Sequence, residues 1–212
     1  MTMWLKMTAS LFMITTFVLG GVLLWLQLTQ GSILAGGDEE SFQPEASFTD
    51  ASYYYFLPDE EIESLIDRAV TSTEGIGSYQ LPVEYNGLNK PDVAFTYASP
   101  PSLRVMLEAG RVYSSYGRIP GVQEMKEKLN DEYFPIHVRF HKNRAYVYDT
   151  QLETNEATVY PEETVIRGNG EEAVHYFHKN DLPFDETASL VVEDSSDDAY
   201  FISYILDFSA YK

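Results

Sequence analysis

AYFISYILDFSAY, residues 199–211, is the stretch whose period decides the fold. Tyr200, Ile202, Tyr204, Leu206 and Phe208 occupy alternate positions, with Ser203, Asp207 and Ser209 between them. A period of two places one set of side chains on one face of a strand and the other set opposite. This run therefore reads as a strand with one face in a core.

Moving back along the chain, the same period recurs in pairs. Ser189–Glu193 precedes an acidic turn at Asp194–Asp198, so it forms a hairpin with the quoted strand. Thr164–Arg167 and Ala173–His178 flank Gly168-Asn169-Gly170, whose residue types suit the positive backbone angles of a hairpin turn. Ile136, Val138 and Phe140 alternate with His137, Arg139 and His141; Lys142-Asn143 then reads as a turn and Ala145–Tyr148 as the return strand.

Before Phe134 the period is helical. Pro58-Asp59-Glu60-Glu61 opens a helix whose apolar face is Ile62, Leu65, Ile66, Ala69 and Val70. Ser99-Pro100-Pro101-Ser102 starts a second, with Leu103, Met106 and Leu107 inward and Gly110 as a weak point. Pro120-Gly121 leads to a third with Val122, Met125 and Leu129 inward. Val93–Tyr97 reads as a further strand, and Tyr53–Leu57 as an aromatic cluster expected to be buried. Helices followed by hairpins predict an α+β domain over 53–212, with two or three helices and an antiparallel sheet covered on one face. The alternative is a β-sandwich with helical additions.

The N-terminal part is of another kind. Leu11–Leu28 reads LFMITTFVLGGVLLWLQL, and no charged residue lies between Lys6 and Asp38. Eighteen helical residues span roughly 27 Å, close to the ~30 Å hydrocarbon core of a bilayer. Trp4 and Trp25 stand near the two ends, as interfacial aromatics do. The run is longer than a signal-peptide core. These features predict a single-pass signal-anchor over 7–28 that contacts the lipid bilayer, after a short cytoplasmic segment 1–6. Lys6 before the run and acids after it place the N-terminus inside and the domain outside. Cleavage and secretion are the alternative outcome. Thr16 and Gly20 form a small-xxx-small pair that can seat another helix. Residues 29–52, rich in Gly, Ser, Ala and acids, read as a flexible acidic tether.

Composition excludes several function classes. The 212 residues contain no cysteine, so disulfides, thiol nucleophiles and Cys-ligated metals are out of reach. A formal charge of −19 repels nucleic-acid phosphates, which makes nucleic acid an unsuitable partner. There is no GxSxG, HExxH or phosphate-cradling glycine loop. His137 and His141 would be roughly 13 Å apart along a strand, too far for one metal ion, and His175 and His178 point to opposite faces. The strand histidines are read as solvent-facing, and no metal or cofactor is expected. The acidic turn lacks the spacing of a calcium loop.

One basic concentration stands out: Arg139, His141, Lys142 and Arg144, a candidate site for a partner's acidic face or an anionic ligand. The expected function is a non-enzymatic interaction domain in a cell-surface or envelope assembly, with protein partners. A sensory ectodomain for an anionic solute is the alternative, and a membrane-tethered hydrolase acting through paired acids is the third reading.

Overall fold

The computed structural model describes residues 48–71, 75–87, 92–129 and 132–212, within a compact unit that runs from Pro44 to Lys212. The apolar segment 7–28, its Thr16–Gly20 pair and nearly all of the expected tether lie outside the described residues. Among the described residues, no helix is long and apolar enough to cross a membrane.

The class is α+β, with three helices and two antiparallel sheets among the described residues. Helix α1 spans Asp59–Thr71, with Asp59, Glu60 and Glu61 in its first turn, where the positive end of the helix dipole favours acids. Its Ile62, Leu65 and Ile66 are buried. Helix α2, Pro101–Tyr116, begins with a proline at a position needing no N–H and ends at Gly117, whose φ of 65° closes the last turn. Gly110 does not interrupt it. Helix α3, Val122–Lys128, buries Met125. The side chain of Glu124 is gripped from both sides by Arg118 at 2.6 Å and Lys128 at 2.8 Å.

Strands β1 (Val83–Asn86), β2 (Val93–Ala98), β3 (Tyr133–Phe140), β4 (Tyr148–Glu153), β5 (Thr158–Val159), β6 (Glu163–Arg167), β7 (Glu172–His178), β8 (Thr187–Asp194) and β9 (Asp197–Asp207) divide into two sheets. The first has the order β2-β3-β7-β6 and the second β1-β9-β8-β4-β5. The β6–β7 and β8–β9 hairpins form where the alternating runs place them, except that β9 ends at Asp207 and the expected strand residues Phe208–Tyr211 form a 3-10 turn. Asn169, at φ 55°, and its two flanking glycines take the positive angles that the first turn requires.

The hairpin expected across Lys142-Asn143 does not form. Ala145–Val147 is a short 3-10 turn, and β4 pairs with β8 in the other sheet, not with β3. The physical reason is visible at the crossing, where the Phe140 and Tyr148 rings stack 5.4 Å apart. The chain leaves one sheet after Phe140 and lays Tyr148 down in the facing sheet. Alternation is the same for a strand that returns beside its predecessor and for one that crosses to a second layer. Two facing sheets therefore replace the expected single sheet.

Their inner faces supply the core. Phe134, Ile136 and Val138 from β3, Phe177 from β7, Leu190 and Val192 from β8, and Tyr204 and Leu206 from β9 are buried in one continuous cluster. Tyr55 stacks on Phe134, and its hydroxyl donates to the Phe208 carbonyl at 3.0 Å. Tyr53, Tyr55 and Leu57 are buried, whereas Phe56 is exposed. Phe48 is 1% exposed, and its carbonyl accepts from the Leu57 N–H at 2.7 Å. Folded structure thus already includes residues 48–52, the end of the stretch read as tether.

Replacing Phe48 by Ala in the full chain removes a buried ring and is expected to cost about 3–5 kcal/mol in urea unfolding. An unchanged midpoint would show that this segment is not part of the core.

Candidate functional site

The basic concentration sits at the exit of β3 and is largely neutralised by neighbours. Arg139 reaches Glu172 at 3.4 Å. Arg144 Nε donates to Asp92 Oδ2 at 3.1 Å, and the Tyr148 hydroxyl donates to the same oxygen at 3.0 Å. Asp92 raises the Arg144 pKa further, fixing the guanidinium as a cation. His141 and Lys142 lie exposed in the bend, where the His141 N–H donates to the Asp92 carbonyl. Each arginine is thus committed to a carboxylate of its own.

The histidines depart from the expectation of solvent exposure. His137 is 9% exposed and His175 is 3% exposed. His137 stacks on Tyr97 with centroids 4.4 Å apart, and its Nδ1 lies 3.1 Å from Glu172 Oε1. Tyr97 donates to the same oxygen at 3.4 Å. The hydrogen bond with His137 holds the Glu172 carboxyl below its ordinary pKa, and burial beside that carboxylate pushes the Tyr97 phenol up to about 12. Both oxygens of Glu172 are engaged, one by His137 and Tyr97 and one by Arg139, so this network is internally matched. It is assembled by cross-strand register, which pairs Tyr97 with His137 and Arg139 with Glu172.

A second constellation is not matched. His175 is on the inner face of β7, between Ala173 and Phe177, opposite Thr164 of β6. Its Nδ1 lies 3.0 Å from Thr164 Oγ1. Its Nε2 and the Thr150 Oγ1 of β4 are buried with no hydrogen-bond partner among the described residues. Both residues line a cavity of about 490 Å³ between the two sheets, together with Tyr146, Tyr148, Tyr160 and Ile166. Burial, the largest cause, and the neighbouring His137 push the His175 pKa down to about 4. The imidazole is therefore neutral near pH 7.

The cavity opens where both sheets have edges. β5 covers only Leu152 and Glu153 of β4, and β6 is the outer strand of its sheet. Tyr146 and Tyr160 stand at this opening, 67% and 68% exposed. The Tyr146 ring lies against Gly170, where an added Cβ would come within 2.7 Å of ring carbon Cε2; Gly170 also has φ +93°. Glycine at that turn is what allows the ring its place. No lysine or arginine lines the cavity, while Asp149 and Glu193 do.

Among the described residues, no group of three or more His, Asp or Glu is placed to hold a metal ion. The acidic turn is self-satisfied at its start, where Asp194 Oδ1 accepts from the Ser196 N–H at 2.9 Å and hydroxyl at 2.6 Å. The chain matches no protein-family model, no curated protein and no solved structure.

The sign of the pH dependence follows from the depressed His175 pKa. Between about pH 6.5 and 4 the unfolded imidazole takes up a proton that the folded one refuses, so stability falls as pH falls through that window. A shift of this size corresponds to about 3 kcal/mol in total. Urea titrations at successive pH values should show a shallower slope for His175→Gln than for the parent chain. Parallel slopes would mean that His175 is not buried in its neutral form.

Proposed function

We propose that this chain is a non-enzymatic binding module, displayed outside a membrane by its N-terminal segment, that takes a small ligand in the cleft between its two sheets. The scaffold is read as a β-sandwich with helical additions. The observation that carries the proposal is a pair of buried polar atoms without a partner among the described residues, His175 Nε2 and Thr150 Oγ1, on two residues that line one cavity large enough for a ligand. A buried polar group without a partner costs roughly 1–3 kcal/mol. Two in one cavity are offset when a bound molecule supplies both hydrogen bonds. At about 490 Å³ the cavity falls in the size range of small-molecule sites, roughly 300–1,000 Å³.

The same features favour binding over catalysis. A general base works best with a pKa near the operating pH, and His175 at about 4 is far below neutrality. Its neutral ring serves as a fixed hydrogen-bonding group. The reading of Arg139 and Arg144 as an anion receptor loses support, because Glu172 and Asp92 already hold them.

A role in a cell-surface or envelope assembly is compatible with this binding reading. Leu107 and Tyr113 on α2, with Tyr116 at its end and Ile119 beyond it, are exposed apolar side chains that suit a protein partner. Orientation follows the sequence expectation, with the N-terminus cytoplasmic and the folded unit outside.

Full-length protein in a lipid nanodisc, screened against chemically diverse small molecules, tests the proposal. At least one compound should raise the melting temperature and shift the amide resonances of Thr150, Thr164 and His175. A screen in which every stabilising compound shifts only resonances remote from those three residues would contradict it.

A further inference from the structure

We infer that the cleft takes a neutral carbohydrate, an oligosaccharide whose ring hydroxyls meet His175 and Thr150 and whose ring faces lie on Tyr146 and Tyr160. This rests on the cleft reading and adds the chemical class of the ligand.

The unmatched atoms restrict the class first. Because His175 Nδ1 faces the Thr164 hydroxyl, two arrangements are available to the neutral ring. If Thr164 donates to Nδ1, then Nε2 carries the proton and needs an acceptor. If Nδ1 donates to Thr164, then Nε2 is a lone pair and needs a donor. The Thr150 hydroxyl likewise both donates and accepts. A ligand hydroxyl, being donor and acceptor together, satisfies every combination. A carboxylate only accepts, and an ammonium only donates.

Charge restricts it again. No lysine or arginine lines the cavity, and Asp149 and Glu193 do. An anion entering would meet the Asp149 carboxylate in the lining, within a chain of formal charge −19, and the nearby Arg144 is already held by Asp92. Anionic ligands are disfavoured on that ground. An amine would gain from the carboxylates but would leave Nε2 unmatched whenever it carries the proton.

Shape completes the argument. Tyr146 and Tyr160 line the cavity and are largely exposed. An aromatic face with a polar hydroxyl at its edge suits a partner that is apolar on one side and wet at the rim. A sugar ring has that division, with C–H groups on its face and hydroxyls around its edge. One water accounts for about 30 Å³ of liquid volume, far below the cavity's 490 Å³, so a single water does not fill it. The opening between the two edge strands leaves room for further sugar units outside, which points to an oligosaccharide.

The test is calorimetric titration of the full chain in a sugar-free polyoxyethylene detergent. The probes are cellotetraose, maltotetraose, mannotetraose and chitotetraose, with choline chloride and inorganic phosphate as charged comparisons. At least one tetrasaccharide should bind and both charged probes should not. Tyr146→Ala and Tyr160→Ala, at exposed positions, should each weaken binding about tenfold with melting temperature unchanged. Thr150→Val should weaken it about fivefold. The inference is overturned if no tetrasaccharide binds, or if binding is indifferent to both tyrosine substitutions. Choline binding that the tyrosine substitutions abolish would overturn the carbohydrate class while leaving the cleft as a ligand site. If no probe binds and no stabilising compound shifts the amide resonances of Thr150, Thr164 or His175, the carbohydrate assignment and the cleft reading both fall.

Discussion

Phe140 against Tyr148, and Phe134 against Phe208, are the contacts on which the rest of the structure depends. Each joins the first sheet to a residue in or directly after a strand of the second, and between them lies the continuous buried cluster. A domain without cysteine has no covalent tie, so apolar burial between the two inner faces must hold the layers together. Tyr53–Leu57 and Phe48 extend the same cluster at one end, where Phe184 stacks on Tyr54 and meets Tyr55 edge to face. The helices add their own apolar faces to it through Ile62, Leu103 and Met125.

That closure stops at the β4–β6 side, and the candidate site lies there. Along β4 the inward positions run Tyr148, Thr150, Leu152, and along β7 they run Ala173, His175, Phe177. Each strand carries one polar residue within an otherwise apolar row, and both polar residues line the same cavity. The charged network of Tyr97, His137, Arg139 and Glu172 makes a contrast. It satisfies its own hydrogen bonds and leaves a ligand little to do. Unmatched polarity next to an opening distinguishes the cleft from that network.

Much of the local structure was legible from period. The three helices and the β6–β7 and β8–β9 hairpins follow from 3.6-residue and two-residue repeats read with turn residues, and the burial of Tyr53, Tyr55 and Leu57 from their being a dense aromatic cluster. The division into two sheets was not legible, because Phe140 and Tyr148 alternate in the same way whether their strands lie side by side or face to face. His175 is marked in the sequence by its strand parity with Ala173 and Phe177, which places an imidazole on an apolar face. Thr150 between Tyr148 and Leu152 left the same mark. The contact of His137 with Glu172 left none, since it arises from β3–β7 register across 35 positions of sequence. The basic residues around Arg144 were legible as a cluster, but Asp92, which occupies Arg144, comes from a distant segment.

The central claim is that the two sheets close over one apolar interior and leave an accessible polar cleft at the β4–β6 side. Nuclear Overhauser spectroscopy on the isotope-labelled full chain without ligand tests it most directly. The account predicts cross-peaks between the Phe140 and Tyr148 rings, together with water cross-peaks to the Thr150 methyl group and the His175 imidazole Hε1. Water-free spectra at Thr150 and His175, with cross-peaks from residues 1–47 in their place, would contradict it by showing the cleft filled by the chain itself.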